Sequence, residues 1–496
     1  MMTRPTNLCT ALVLLSLLGA ITESRKVPLG RQRRFDQQGT LQEDEEFWNR
    51  WLQRETSLDV DVAYASTNTP TATPPTTLTS SPTVTPSPTP KPTHPPISDT
   101  TIVDMIQSTS RFDGLEFEDP ESYQSRALDW VVTNTPSDPT AAGFPLSPQK
   151  ILQRYALACL YYSTFAAPNS ITGLSGDVRG WIDATGWLVF PDECSWYQVA
   201  CNDFGYVTKI ELYSNRLTGS LPYELALLQD WLTTLDVYQN ILENSGAEGH
   251  AWLGELHNLQ YLFYGRTFFQ NDNGIPSVIG TLTRLKEYDC SYVLYDGPLD
   301  GSTFVNLTNL EYMDLSGNRY NSGIPSQLAS LPQLQFLYGV HADLTGSLDF
   351  VLDMPAIIEL WVDNNPIMTG TIPSSIEQVS TLVSLGISNC SLTGTLPPFL
   401  GDEFVQFFAH DNALTGTIPA EWGALEDVKR IELHDNLLVG TMPDEVCDLR
   451  EAFRLVRLTT DCQRQVGTVA CDCCTCCGPS CSFLQNTDAT AEVSWP

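Results

Sequence analysis

The stretch Ile210-Glu-Leu-Tyr-Ser-Asn-Arg-Leu-Thr-Gly-Ser-Leu-Pro222 recurs along the chain, most clearly as Ile431-Glu-Leu-His-Asp-Asn-Leu-Leu-Val-Gly-Thr-Met-Pro443. Copies of this unit follow one another at spacings of 22 to 27 residues. Their first core positions are Ile210, Leu235, Leu262, Tyr288, Met313, Leu337, Leu360, Leu385, Phe407 and Ile431. A fixed period of this length is typical of a solenoid, because one repeat cannot bury its apolar face alone and must stack on its neighbours.

Each position of the unit has a chemical role. The alternating L-x-L pair predicts a short strand with its apolar side inward. The Asn that follows points inward as well, and we expect its amide to bond backbone groups of the next repeat, where the strand ends. The Gly-x-Ile-Pro segment turns the chain away from the strands, and Pro is tolerated there because no ladder donor is needed.

The consensus LxxLxxLxLxxNxLxGxIPxxL resembles the plant-type leucine-rich repeat, which is found in receptor ectodomains and secreted hydrolase inhibitors of plants. This resemblance implies an α/β solenoid, a horseshoe with short parallel strands on its concave face and disulfide-bonded terminal caps. The segment Glu193-Cys-Ser-Trp-Tyr-Gln-Val-Ala-Cys201 resembles the CxWxGVxC cap of the family, with Gln198 in place of the usual Gly. The segment Gln153-Arg-Tyr-Ala-Leu-Ala-Cys-Leu-Tyr-Tyr-Ser-Thr164 is similar to the cap of secreted leucine-rich-repeat proteins from microalgae.

Composition divides the chain into six segments. The acidic and basic pre-segment is predicted to be disordered, and the linker holds 11 Thr and 10 Pro, a composition that forms no core and is typical of a glycosylated stalk. The predicted segments are a signal peptide at 1–24, the pre-segment at 25–64, the linker at 65–98, a helical N-terminal cap at 99–206, about ten repeats at 207–446, and a Cys-rich C-terminal cap and tail at 447–496.

The signal is predicted from Arg4 and the apolar run at 11–20, which is too short to span a bilayer comfortably. Five basic residues follow between 25 and 34, so an uncleaved anchor is the alternative. The residues after Cys481 are too few and too polar for a membrane helix, a lipid-anchor signal or a kinase. We therefore expect a secreted, extracellular protein without stable membrane insertion, with association with a cell wall as a further option.

Fourteen cysteines favour an oxidising compartment. Cys9 leaves with the signal, and the family resemblance pairs Cys194 with Cys201. Cys159, Cys290 and Cys390 are predicted to be buried thiols. The remaining eight form an even set that predicts disulfides of unknown connectivity, at Cys447, Cys462, Cys471, Cys473, Cys474, Cys476, Cys477 and Cys481. Zinc or copper binding is the alternative for the run 471–477, but it lacks paired C-x2-C spacing and a nearby His. We therefore expect no metal and no cofactor.

Outward positions of the predicted strands form one candidate binding face, which is aromatic and acidic. Aromatic rings supply rigid contact area and carboxylates supply specificity, which fits a glycan or a basic peptide or protein. The alternative is that aromatics simply suit strands and the whole chain is acidic. The candidate residues are Glu211, Tyr213, Asp236, Tyr238, Phe263, Asp289, Tyr292, Asp314, Tyr338, Trp361, Asp363, Phe408, His410, Glu432 and His434.

The chain holds 59 Asp and Glu against 26 Lys and Arg, and this net charge of -33 disfavours nucleic acid and anionic lipid as partners. An enzyme is not expected. Asp289 and Asp314 lie on an open face, where nothing raises the pKa of one carboxyl as a glycosidase requires. No nucleophile elbow, phosphate loop or metal-ligand motif occurs. The polar residues His341, His410, His434, Asp411 and Asp435 cluster on the later repeats, either as a metal or catalytic site or by chance.

Two N-glycosylation sequons begin at Asn306 and Asn389, and Asn306 is the better acceptor because it lies between repeats, away from the face. The sequence thus predicts a secreted, non-catalytic recognition protein that binds an extracellular protein or glycan through its concave face. An inhibitor of a secreted hydrolase and a structural wall or adhesion protein are the alternatives. The oligomeric state stays open.

Overall fold

The computed structural model describes residues 99–135, 147–165, 180–244, 249–401, 403–452, 454–462 and 469–478. The predicted signal peptide, pre-segment and linker, together with Cys481, lie outside these ranges.

One sheet of thirteen strands runs through the described residues. Its first two strands are antiparallel and every later pair is parallel. The strands of this main sheet are, in order, Val199–Cys201, Val207–Glu211, Thr234–Asp236, Tyr261–Phe263, Glu287–Asp289, Tyr312–Asp314, Phe336–Tyr338, Glu359–Trp361, Ser384–Gly386, Gln406–Phe408, Arg430–Glu432, Arg457–Thr460 and Cys476–Cys477.

The ten predicted core positions each lie on one of these strands, and consecutive positions are paired in register. The parallel solenoid and its repeat phase are therefore confirmed. The strands are short because the chain leaves each of them at a residue with a left-handed backbone, four positions after the first core residue. These residues have φ between 49° and 70° and are Ser214, Gln239, Arg266, Tyr292, Gly317, His341, Asn364, Asn389, Asp411 and Asp435.

The inward asparagines form a ladder between repeats. Asn240 donates from Nδ2 to the carbonyl of Leu212 at 2.9 Å, and its Oδ1 accepts the backbone N–H groups of Asn215 and Leu217 at 3.0 and 2.9 Å. The donation from Nδ2 to a carbonyl of the preceding repeat recurs at Asn318, Asn365, Asn412 and Asn436. The expected direction was wrong: the amide serves the preceding repeat, because the backbone groups left unpaired after a strand lie on that side.

The side of the solenoid away from the main sheet carries short elements. A second sheet of four parallel strands runs through the Gly-containing segments of the later repeats, and 3-10 helices connect many of the repeats. The second sheet consists of Thr369–Thr371, Ser391–Thr395, Ala413–Gly416 and Leu437–Leu438. Two-stranded pairs are Thr218–Gly219 with Ile241–Leu242, Gln270–Asn271 with Leu294–Tyr295, and Gly440–Thr441 with Val469–Ala470. The 3-10 helices are Leu115–Phe117, Glu193–Ser195, Tyr223–Leu228, Ala251–Glu255, Ser277–Thr281, Gly301–Thr303, Leu348–Asp353, Ile376–Gln378 and Ala420–Ala424.

The core is a continuous stack of buried apolar side chains that runs from the N-terminal cap to Val469. Tyrosines enter it in the third and fourth repeats, where they satisfy their own hydroxyls. Tyr264 bonds Tyr295 at 2.8 Å between hydroxyl oxygens and also bonds Tyr288, and all three side chains are fully buried. Buried hydroxyls paired in this way avoid the cost of an unmade hydrogen bond.

Three helices build the N-terminal cap: α1 (Asp99–Gln107), α2 (Tyr123–Asn134) and α3 (Pro148–Thr164). Helix α3 begins after Ser147, whose hydroxyl accepts the backbone N–H of Lys150. One face of α3 carries buried cations: Lys150 and Arg154 bind the two carboxylate oxygens of the buried Glu193 at 2.8 and 3.0 Å. These contacts tie α3 to the loop that carries the first disulfide.

That loop is closed by the disulfide between Cys194 and Cys201. Gln198, which replaces the glycine of the resembled motif, has φ of 59°. The left-handed backbone explains why the family uses Gly there, since Gly adopts this conformation without steric cost. The turn itself is kept despite the substitution.

The C-terminal cap continues the solenoid rather than only covering it. After the short helix α4 (Ser326–Ala329) within the repeats, helix α5 (Asp444–Glu451) opens the cap, and the strand Arg457–Thr460 then joins the main sheet with Leu458 opposite Ile431. Disulfides join Cys447 to Cys473, Cys462 to Cys477 and Cys471 to Cys474. Cys476 is disulfide-bonded too. The free cysteines among the described residues are Cys159, Cys290 and Cys390, all buried as predicted.

Candidate binding face

The outward residue that directly follows the first core position of each strand is paired in register across the main sheet. Parallel pairing places Glu211 opposite Asp236, Asp236 opposite Phe263, and so on to Phe408 opposite Glu432. Adjacent members are separated by about 4.8 Å, the spacing of neighbouring strands. The middle outward positions therefore form one column across the main sheet, and the strands hold it rigidly.

Half-buried aromatic rings lie together on the middle and later strands of this face. We call Tyr312, Phe336, Tyr338, Trp361 and Phe408 the aromatic patch; each is partly exposed. The rings of Tyr312 and Tyr338 meet edge to face with centroids 5.5 Å apart, and those of Trp361 and Phe408 are 5.1 Å apart. Cross-strand contacts of this kind hold aromatic side chains in one orientation.

Gly386 allows the second of these contacts. It lies on the strand between Trp361 and Phe408, and a Cβ at this position would come within 2.8 Å of the Trp361 ring. The missing side chain lets two rings that are two strands apart touch each other. The glycine thus shapes the aromatic patch.

Several candidate residues are buried, which corrects the expectation that they are open to solvent. Three of the aspartates are held against the backbone. Oδ1 of Asp236, Asp289 and Asp314 each accepts the backbone N–H two residues later, at 2.9 to 3.1 Å, where the strand ends. These carboxylates therefore help to terminate strands. The buried candidates are Asp236, Tyr238, Phe263, Asp289, Asp314, Asp363, Glu432 and His434.

The other candidates keep some exposure. Tyr213 is the most exposed, at 42%. The remaining six are partly exposed: Glu211, Tyr292, Tyr338, Trp361, Phe408 and His410. Arg430 lies over the Phe408 ring at 5.4 Å and Arg266 over the Tyr292 ring at 5.3 Å. The face therefore combines accessible ring surface with a few fixed cations, although the sequence indicated mainly aromatic and acidic character.

Among the polar residues of the later repeats, the structure brings together His410, Asp411 and His434. Nδ1 of His410 lies 2.7 Å from Oδ2 of Asp411, and the two imidazole rings stack with centroids 4.5 Å apart. One ligand atom from each of the three residues lies within 4.8 Å of the others. Within the described ranges this is the group that has the composition of a metal site, and it does not include His341 or Asp435.

Burial and neighbouring charges shift the pKa values of the two histidines in opposite directions. Burial acts to lower the pKa of His410, but the hydrogen bond and charge of Asp411, with Glu432 and Asp363 nearby, raise that pKa above its usual value. Burial and the charge of His410 lower the pKa of His434 to about 4. His434 is therefore neutral at physiological pH and is able to act as a ligand through a ring nitrogen.

The strand Arg457–Thr460 adds residues to the face that sequence reasoning missed. Thr459 is opposite Glu432, Arg457 binds Glu432 at 2.8 Å, and Asp461 accepts the backbone N–H groups of Asp435 and Asn436, each at 2.8 Å. The signal was present in Leu455-x-x-Leu458, with Leu458 standing 27 residues after Ile431. The repeat consensus does not predict this strand, because no Asn and no Gly-x-Ile-Pro segment follow it.

None of the helices in the described ranges combines the length and the apolar composition that crossing a membrane requires.

Comparisons with known proteins agree with the repeat. The family model of the Leucine Rich Repeat matches residues 309–331 and 381–402. The receptor-like kinase TMK2 of Arabidopsis thaliana is 35% identical over 95 residues, which cover 19% of this chain and 11% of that protein. Receptor-like protein 39 of the same plant is 30% identical over 150 residues, covering 30% of this chain and 14% of that protein. The chain therefore matches only a small part of these relatives.

Solved structures similar to this chain include the Arabidopsis receptor kinase HAESA in complex with the peptide hormone IDA and the co-receptor SERK1. The TM-score is 0.46 at 25% identity, and the match covers 54% of this chain and 48% of that one. A plant ice-binding protein has a TM-score of 0.43 at 21% identity, with 51% of this chain and 80% of that one covered.

Proposed function

We propose that this chain, a leucine-rich-repeat protein of the plant type, is a secreted, non-catalytic recognition protein whose concave face binds an extracellular protein or glycan. The aromatic patch carries the proposal. Its rings are partly exposed, they lie on the main-sheet strands between Tyr312 and Phe408, and cross-strand contacts fix them before any ligand arrives. Pre-ordered rings bind at a low entropic cost, which favours recognition through this surface.

The arrangement of charge supports binding without turnover. Several carboxylates of the central column are buried and occupied in ending strands or, at Glu432, in binding Arg457. General acid–base chemistry needs a group of suitable pKa within reach of a substrate proton. We therefore assign the acidic residues to the fold and to partner specificity, and the partly exposed rings to affinity.

The ligand class is tested with glycan and peptide arrays probed with the purified full chain, followed by titration of the best hit. We expect the variants Trp361→Ala and Tyr338→Ala each to weaken binding by about tenfold or more, as truncation of an aromatic contact at the centre of an interface does. Phe399→Ala is the matched control, because Phe399 is an exposed aromatic residue outside the main sheet. Equal affinity of all three variants and the wild type would refute the proposed face.

The two alternatives predict different results in the same preparation. The chain is incubated with proteins secreted by its own organism, and the complex is recovered. If the chain is a hydrolase inhibitor, the complex contains an enzyme whose activity falls on binding. A structural wall protein is instead recovered in the insoluble wall fraction and tolerates the substitutions at Trp361 and Tyr338. A soluble chain that binds a single defined ligand contradicts the structural alternative.

A further inference from the structure

We propose that His410, His434 and Asp411 form a binding site for a divalent transition-metal ion of the zinc type at the C-terminal end of the concave face. The two histidines occupy equivalent positions in neighbouring repeats, three residues after the core positions Phe407 and Ile431. Parallel pairing in register therefore brings their side chains side by side. The proposal does not depend on which ligand the aromatic patch binds.

The state of His434 is the strongest observation. Its side chain is fully buried, its Nδ1 lies 2.9 Å from Oγ1 of Thr459, and its Nε2 has no hydrogen-bond partner. A buried polar atom without a partner is costly, so an atom that satisfies it is favoured. A contact at Nδ1 of this kind is also how proteins fix the tautomer of a metal-binding histidine whose Nε2 carries the lone pair.

His410 and Asp411 complete the group. The Asp411 carboxylate is already in contact with the His410 ring, and one ligand atom from each of the three residues lies within 4.8 Å of the others. Tetrahedral zinc with bonds of about 2.0–2.1 Å needs its ligand atoms about 3.3 Å apart. The ligand atoms therefore have to approach one another by up to about 1.5 Å to close the site. Imidazole with carboxylate suits zinc, copper and nickel.

The surrounding charges favour a cation. The carboxylates of Asp363, Glu432, Asp435 and Asp461 lie around the three residues. The opposing cations are Arg457 and Arg430, which lie 2.8 and 3.7 Å from Glu432. The carboxylates around the histidines thus outnumber the guanidinium groups. Three protein ligands leave a fourth position of a tetrahedral ion open to water or to an atom from a partner.

The experiment measures zinc uptake by the metal-free full chain, by equilibrium dialysis against ZnCl2 without reductant, so that the disulfides stay closed. We expect one saturable site in the wild type. We expect the affinity to fall by about tenfold or more in His434→Gln, in His410→Gln and in Asp411→Asn, as removal of a ligand does. His257→Gln is the matched control, because His257 is exposed and outside the group.

Asp411→Asn guards against a folding artefact, since Asp411 is exposed and its replacement leaves the buried His434 in place. Cobalt supplies a second readout, because its visible absorption reports coordination by nitrogen and oxygen independently of zinc affinity. The proposal is overturned if the wild type shows no saturable uptake. It is equally overturned if the double variant His410→Gln/His434→Gln, shown to be folded by circular dichroism, takes up as much zinc as the His257→Gln control.

Discussion

The hydroxyl of Tyr123 in α2 donates a hydrogen bond of 3.2 Å to Oε2 of Glu224, which joins the N-terminal cap to the first repeat. Glu224 is almost completely buried, and burial raises the pKa of its carboxyl to about 7, even though its hydrogen bonds act in the opposite direction. The folded chain therefore holds a proton that the unfolded chain releases at a lower pH. The junction between cap and repeats is sensitive to pH for this reason.

The stability of the wild type should change relative to Glu224→Gln as the pH rises. A carboxyl with a raised pKa contributes most when it is protonated, so its share of the free energy of unfolding falls between about pH 4.5 and 7 and is flat above. We expect the variant and the wild type to be similar at pH 5, and the variant to be the more stable at pH 8, by on the order of 2 kcal/mol. Thermal unfolding at both pH values measures this.

The matched control is Glu421→Gln, which changes an exposed carboxylate on a 3-10 helix of a later repeat. Its stability relative to the wild type should be the same at pH 5 and pH 8. If the difference in stability between Glu224→Gln and the wild type is the same at pH 5 and pH 8, the raised pKa of Glu224 is contradicted.

Substitution in the asparagine ladder should cost far more than substitution of a surface asparagine. Asn240→Ala leaves the N–H groups of Asn215 and Leu217 and the carbonyl of Leu212 without their partner in a buried region. Each buried group left unsatisfied costs about 1–3 kcal/mol, so we expect a loss of at least about 2 kcal/mol in the free energy of unfolding. Urea denaturation provides the measurement.

Asn309→Ala serves as the comparison, because Asn309 also bonds the preceding repeat, through the carbonyl of Thr283, but is exposed. Water replaces the lost hydrogen bond there, and surface substitutions of this kind usually cost no more than about 0.5 kcal/mol. Equal losses in the two variants would show that burial does not govern the ladder.

The disulfides of the C-terminal cap should contribute according to the chain length that they enclose. Cys447–Cys473 spans 26 residues and Cys471–Cys474 spans 3. Loop closure in the unfolded chain predicts about 3.5 kcal/mol for the long span and about half as much for the short one. We expect Cys447→Ser/Cys473→Ser to lower the melting temperature clearly more than Cys471→Ser/Cys474→Ser. The reverse order in a thermal melt would mean that strain or local packing outweighs loop entropy.

Glycosylation should occur at Asn306 and not at Asn389. Asn306 is exposed in the segment that connects two main-sheet strands. Asn389 instead has a left-handed backbone at the rim of the face, and its Nδ2 donates to Oδ1 of Asn364 at 2.8 Å. Expression in a eukaryotic host, enzymatic glycan release in heavy-oxygen water and peptide mass spectrometry locate each modified Asn. A glycan on Asn389 would cover the later repeats and argue against a contact surface there.

The repeat, its phase and the buried cysteines were predictable because they rest on local patterns of apolar residues. The roles of Asp236, Asp289 and Asp314 were not predictable. Each accepts a backbone N–H two residues later, but the repeat pattern alone predicts an outward carboxylate at these positions. The ion pairs of Lys150 and Arg154 with Glu193 were not predictable either, since these residues are about 40 positions apart and belong to no periodic pattern.

The histidine pair is an intermediate case. Equal offsets from Phe407 and Ile431 already predict that His410 and His434 are neighbours, because register is conserved between parallel repeats. What the offsets do not reveal is that His434 is fully buried with an unpaired Nε2. That burial arises from the strand Arg457–Thr460, whose Thr459 lies against the ring and which the consensus does not predict.

The asparagine ladder has a consequence for how such a chain changes its length. Outside its own repeat, each ladder amide bonds the repeat immediately before it, as Asn365 does with Gly339 and Asn436 with Ala409. Duplication or loss of one whole unit therefore leaves each remaining ladder amide beside a preceding repeat that offers an equivalent backbone carbonyl. Recombination at repeat boundaries is thus able to lengthen or shorten the face while both disulfide-closed ends are inherited intact.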